Sequence, residues 1–199
     1  NRSRIIRNIV SYTDEGFEAR VLFASDTRSL TSYAADANGV YGREYEVNAL
    51  GQRTRIYYLN AMGERTALPN GVNSMAVEYL GGRAARIGYL DTSDRPIRGE
   101  PGFAWETLDY DANLNNDRVS YYDAEGTLTL SSDGYARSEA SFRDGLMVRY
   151  SVFDASLEPC YREGFSTQLA EYKDGLPIRI VYLDAEGNPS PNRDGHAEY

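Results

Sequence analysis

The sequence has few of the residues on which many metal and catalytic sites depend. Its 199 residues include one cysteine, Cys160, and one histidine, His196. A single cysteine cannot form a disulfide within the chain or build a thiolate metal cage. A single histidine excludes a two-histidine metal site and gives no support for a catalytic triad. We therefore expect a noncatalytic chain with no cofactor and no bound metal.

Lysine is almost absent. Of the 21 basic residues only Lys173 is a lysine, and acidic residues outnumber basic ones to give a net charge of -9. This balance argues against binding to nucleic acid, because neutralising a phosphate backbone requires clustered basic residues. The arginines are suited to bidentate pairing with carboxylates, so we expect structural ion pairs.

Long apolar runs are also missing. No segment approaches the roughly 20 apolar residues that cross a bilayer as a helix, so we expect no membrane span. The chain opens with NRSRIIRNIV rather than a signal peptide and closes on DGHAEY in the middle of a recurring unit. Both observations predict that the natural protein is longer. Aromatic residues, by contrast, are plentiful, and the 17 tyrosines favour half-buried pleated strands.

One order of residues returns about every 31 residues. A glycine followed by a mostly apolar or aromatic residue opens each unit, and an aromatic residue, a turn residue and an arginine follow. The opening glycines are Gly71, Gly102, Gly134, Gly164 and Gly195. The turn residues are Gly82, Gly145 and Gly175, with Asn113 in the remaining unit, and the arginines are Arg86, Arg118, Arg149 and Arg179.

Each unit has the pattern of a β-hairpin. In the last complete unit, residues 165–172 form the first strand, Lys173-Asp174-Gly175 forms the turn with its glycine in the left-handed position, and residues 176–183 return. Placing Tyr172 opposite Leu176 gives one apolar face and one face on which each recurring arginine meets a carboxylate. The same register places Glu139 opposite Arg149.

These patterns predict an all-β fold, a tandem array of about six antiparallel β-hairpins. The array forms either a single-layer sheet or a β-solenoid, and it occupies residues 1–199 as one domain. Its units are less regular over residues 1–55 and more regular over residues 56–199, with the last unit truncated. Connectors rich in proline and glycine join the hairpins, and their aspartates are expected to cap the turn backbone rather than bind calcium.

Four aromatic residues near the connector glycines are candidates for facing a ligand: Phe103, Trp105, Tyr135 and Phe165. Rings that recur along one edge of an array could stack on sugars. The alternative is that the rings anchor each hairpin to its neighbour, because their spacing is that of the units themselves. A pair of catalytic carboxylates would show as a break in the pattern, and the least regular stretch, Phe23 to Val40, is where such a break would lie.

The segments VSYYDAEGTL and DGYARSEASFRDGLMVR resemble the tandem hairpin repeats of large bacterial surface proteins and are loosely similar to MORN-variant and YD-type repeats. The likeness covers the chain from about Tyr45 onward. It implies a noncatalytic, extended β array that serves as a spacer or an adhesive part of a larger polypeptide. It also implies a location outside the cell or on its surface.

The sequence thus predicts a noncatalytic module of a larger bacterial protein that binds a glycan or a protein, or acts as a structural spacer. Two alternatives stay open. One is an intracellular protein that binds a protein partner, as an immunity protein or antitoxin does, which would place the chain in the cytoplasm. The other is an accessory domain of an enzyme.

Overall fold

The computed structural model describes residue 5 and residues 7–25 and 33–198. These residues form twelve antiparallel strands and no helix, and within each of two compact units the strands lie side by side in the order in which they occur along the chain. The predicted all-β class and the predicted hairpins are confirmed. In each unit the strands form an open sheet. Within the same residues there is no helix that could cross a membrane.

The contacts of the chain define two compact units, Asn1–Ile97 and Arg98–Tyr199, each with three hairpins. The strands of the first unit are β1 (Arg7–Tyr12), β2 (Glu18–Ala24), β3 (Gly42–Val47), β4 (Arg53–Leu59), β5 (Ser74–Leu80) and β6 (Arg83–Leu90). The strands of the second unit are β7 (Trp105–Tyr110), β8 (Asn116–Tyr122), β9 (Arg137–Arg143), β10 (Leu146–Phe153), β11 (Thr167–Lys173) and β12 (Leu176–Leu183).

Three hairpins close through two-residue turns. Their central residues are Gly81-Gly82, Asp144-Gly145 and Asp174-Gly175, and every one of them has a positive φ. Two consecutive left-handed residues define a type I′ turn, whose twist matches that of the strands. The left-handed conformation predicted at Gly82, Gly145 and Gly175 is confirmed.

The other three hairpins close through five-residue loops at residues 13–17, 48–52 and 111–115. In the last of these the prediction for Asn113 is wrong, since the left-handed residue is Leu114, with φ of 66°. The Asp111 N–H donates to the carbonyl of Asn115, and the Leu114 N–H donates back to the carbonyl of Asp111. A loop of five residues places the required positive φ at its fourth position, one residue beyond Asn113.

The connectors contain the same five-residue loop. At Asp91 the side-chain Oδ1 accepts the N–H groups of Ser93 at 2.7 Å and Arg95 at 3.0 Å. The hydrogen bond from the Arg95 N–H is the main reason that the pKa of Asp91 is lower than usual. Asp123 and Asp154 make the corresponding pairs of bonds, so the predicted capping by connector aspartates is confirmed.

A β-bulge near the turn of every hairpin sets the strand register. In β11–β12 the bulge falls between Glu171 and Tyr172, so Tyr172 pairs with Pro177 and the predicted pairing with Leu176 is wrong. In β9–β10 the shift places Ser141 opposite Arg149 and moves Glu139 opposite Ser151. A bulge adds one residue to one strand, which a regular alternation of side chains does not reveal.

Candidate binding groove on the last two hairpins

The structure buries the four aromatic residues that the sequence offered as ligand-facing. Phe103, Trp105, Tyr135 and Phe165 retain between 4% and 8% of their exposure. Each follows a connector loop that ends in a left-handed glycine, and the chain there turns inward onto the sheet. Rings this deeply buried have no free face on which a sugar could stack, so the geometry agrees with the anchoring alternative.

The partners of these rings are tyrosines of the sheet itself. Phe103 stacks on Tyr121 with ring centres 4.5 Å apart, Tyr121 lies 5.7 Å from Tyr135, and Phe165 lies 4.7 Å from Tyr182. Burial raises the pKa of Tyr135 to about 12, which keeps its hydroxyl protonated. Through these contacts the connectors pack against the strands, and the rings form part of the apolar core of the second unit.

A row of charged pairs is built by the recurring arginines. In three hairpins the residue opposite the arginine is acidic, and the side chains approach each other: Arg86 and Glu78 at 3.7 Å, Arg118 and Asp109 at 3.6 Å, and Arg179 and Glu171 at 3.0 Å. Arg118 and Arg179 also reach a second carboxylate, on Glu139 and Glu198 respectively. The structural ion pairs expected from the arginine content are therefore present.

Arg149 does not form such a charged pair. Its neighbours in the sheet are Ser141 on one side and Leu169 on the other, neither of which is acidic. Glu139, which the sequence assigned to it, instead pairs with Arg118 at 3.2 Å and approaches Arg137 at 3.9 Å. No carboxylate of the described residues lies within ion-pair distance of the Arg149 guanidinium.

A small cavity of about 200 Å³ lies beside Arg149. Arg149 Nε donates to the Ser151 hydroxyl at 3.1 Å, and the Ser151 and Thr167 hydroxyls are hydrogen-bonded at 2.9 Å. Phe153 and Leu183 add apolar walls. The cavity therefore combines an exposed cation, two buried hydroxyl groups and apolar sides.

A larger groove of about 740 Å³ lies toward the turns of the same two hairpins. Its lining combines aliphatic residues, among them Leu146, Val148, Leu169 and Ile178, with charged residues such as Glu171. Its size is that of an ordinary ligand-binding cleft. Sequence reasoning missed this groove because its lining comes from two hairpins whose register depends on the bulges.

The groove and the small cavity follow one row of side chains. Thr167 lines the small cavity, whereas Leu169 and Glu171 line the groove. These three residues alternate along β11 and share one face of the strand. The two spaces thus run in line from the connector toward the turn, a path that suits an extended ligand.

Cys160 and the least regular stretch, Phe23 to Val40, are the remaining features that the sequence singled out. Burial raises the pKa of Cys160, which disfavours its reactive thiolate form. Among the described residues no three His, Cys, Asp or Glu side chains are grouped as metal ligands would be. In the stretch from Phe23 to Val40, residues 26–32 lie outside the described residues, and Asp36–Val40 forms an ordinary five-residue loop.

No protein-family model matches this chain, and no curated protein sequence does so.

Proposed function

We propose that this chain is a noncatalytic protein-binding module, and that it binds an extended segment of a partner protein along the groove of hairpins β9–β10 and β11–β12. In keeping with the bacterial surface repeats that the sequence resembles, we place it in a larger polypeptide on or outside the cell. The observation that carries the proposal is the groove itself, whose aliphatic side chains are half-buried at Leu146, Val148 and Leu169 and exposed at Ile178.

Two features favour a protein over a glycan as the ligand. The aromatic rings are buried, and exposed rings are what a sugar would stack on. The groove instead presents Leu146, Val148 and Leu169, which match the apolar side chains of a peptide. An extended peptide places alternate side chains on one face, as does the row of β11 residues beneath it.

The test uses short random peptides displayed on phage and selected on the purified chain. We expect enriched peptides to bind the parent and to lose about tenfold or more in affinity for Ile178→Asp, because a charge replaces an apolar contact in the groove. Ile178 is 58% exposed, so the substitution is expected to leave the fold intact, which circular dichroism checks.

Leu176→Asp is the matched control. Leu176 lies on the same strand and is 68% exposed, but it does not line the groove. Peptides that bind the parent and Leu176→Asp equally, but not Ile178→Asp, would support the proposal. Failure to enrich peptides, together with retention of the chain on bacterial cell-wall polysaccharide, would overturn it in favour of a glycan ligand.

A further inference from the structure

We infer that Arg149 and the cavity beside it form a subsite for a single carboxylate of the bound segment. This inference rests on the proposed function and specifies the chemistry of the partner, a peptide that places one acidic side chain in the cavity and an apolar side chain in the adjoining groove.

The residue opposite the recurring arginine differs among the hairpins. The position opposite the recurring arginine is acidic in β3–β4, β5–β6, β7–β8 and β11–β12, where it holds Glu46, Glu78, Asp109 and Glu171. In β9–β10 the same position holds Ser141. Hairpin β9–β10 therefore keeps the arginine but has no carboxylate opposite it.

The Arg149 guanidinium has N–H donors that can bind a ligand. Arginine has five N–H donors in a planar arrangement that matches a carboxylate. Arg149 uses Nε toward Ser151, and its terminal nitrogens have no carboxylate partner among the described residues. A carboxylate supplied by a ligand would therefore restore the pair that hairpins β5–β6, β7–β8 and β11–β12 make internally.

The charged residues that line the cavity limit the charge of the anion that it can bind. Asp184 and Glu186 also line the cavity, so two negative side chains oppose any anion that approaches Arg149. This repulsion grows with the charge of the anion, so a carboxylate, with one negative charge, is opposed less than a phosphate. Within the first hairpin Arg20 also faces a serine, Ser11, but its guanidinium donates to the Gly63 carbonyl.

The distance between the small cavity and the groove sets the spacing of the acidic and apolar residues along the ligand. Arg149 and Thr167 line the small cavity, while Leu169 lies two residues farther along β11 in the groove. Two residues of an extended strand span about 7 Å. A peptide running beside β11 would therefore place an acidic residue and an apolar residue about two positions apart.

The experiment compares the selected peptides on three variants of the full chain. For Arg149→Gln we expect binding to weaken about tenfold, because a charge-assisted bidentate contact is lost. For Ser141→Glu we expect a similar loss, since the new carboxylate would occupy Arg149 as Glu171 occupies Arg179. Arg118→Gln is the control, because Arg118 already has two carboxylate partners and lines neither cavity.

The peptides supply the reciprocal test. Replacing their acidic residue by the matching amide should weaken binding to the parent about tenfold and have no further effect on Arg149→Gln. Peptides that depend on Ile178 but are indifferent to Arg149→Gln and to loss of their acid would overturn the carboxylate subsite and leave the protein-binding proposal standing. If no peptide is enriched and the chain is retained on bacterial cell-wall polysaccharide, both are overturned.

Discussion

The two ends of each hairpin differ sharply in burial. At the connector end of the second unit, Phe103, Tyr135 and Phe165 are buried, and Ala104 and Ala136 beside two of them are fully enclosed. At the turn end, Leu80 in β5 and Leu176 in β12 are among the most exposed large apolar residues described. The connector end therefore supplies most of the stability, and the turn end is left free to contact other molecules.

This division follows from how the backbone is arranged at each end. At the connector end a loop folds back and places a ring on the sheet, so the strands there have a covered face. At the turn ends of β9–β10 and β11–β12 two residues reverse the chain, and Leu176 next to the second of these turns is exposed. A two-stranded ribbon that is not covered gains little from burial.

The largest expected effect tests the connector end directly. Phe165→Ala removes a buried ring that packs on Tyr182, and we expect it to lower the free energy of unfolding by about 3–5 kcal/mol. Ile178→Ala at the turn end should lower it by about 0.5 kcal/mol or less, because that side chain is already exposed. Urea unfolding of both variants measures the difference. Equal losses would show that burial is not concentrated at the connector end.

Glycine substitutions compare how tightly the backbone is packed at the connector end and at the turn end. Gly164, in a connector, has φ of +98°, and a Cβ there would lie 2.5 Å from the Pro191 carbonyl oxygen. Gly145, in a turn, has φ of +76° and open space around it.

We expect Gly145→Ala to cost about 1–2 kcal/mol from the left-handed conformation alone, and Gly164→Ala to cost more, because the clash adds to that strain. Thermal unfolding followed by circular dichroism compares the two variants. A larger loss for Gly145→Ala would contradict the tighter packing assigned to the connector.

The smallest expected effect concerns acid stability at a connector aspartate. The pKa of Asp91 is lowered in the folded chain, so its contribution to stability is present above the unfolded pKa of about 4 and is lost as the pH falls through the folded value. Asp91→Asn keeps the Oδ1 acceptor, as Asn60 shows at the corresponding position, but cannot titrate.

We therefore expect the Asp91→Asn variant to lose slightly less stability than the parent between pH 5 and pH 2, which are approximate limits for carboxylate titration. Unfolding measured across that range provides the comparison. Identical acid profiles for parent and variant would show that the turn hydrogen bonds at Asp91 do not distinguish the folded from the unfolded state.

The sequence predicted the features that depend on local residue chemistry. The turn glycines Gly145 and Gly175 identified the hairpins, because few other residues adopt a positive φ at low cost. The connector aspartates were recognised as turn caps for a similarly local reason. The all-β class followed from these turns and from the strand residues between them.

Features that depend on register were not predictable in the same way. The bulge before Arg149 moved Glu139 away from it and brought Ser141 opposite, which no pattern of alternation reveals. The inward direction of Tyr135 depends on how a connector folds back, which the residue spacing alone leaves open. The cavity beside Arg149 depends on the register, and it could have been found only from the exchange of an acidic residue for Ser141 once the register was known.

The order of the strands has a consequence for how the protein is made. Within each unit every strand lies beside its neighbours in the chain, so no pairing has to wait for a distant segment. Chains with such short-range pairings fold quickly for β proteins. We expect each hairpin to form soon after it leaves the ribosome and to provide the edge on which the next one assembles, so that synthesis and folding proceed in the same direction.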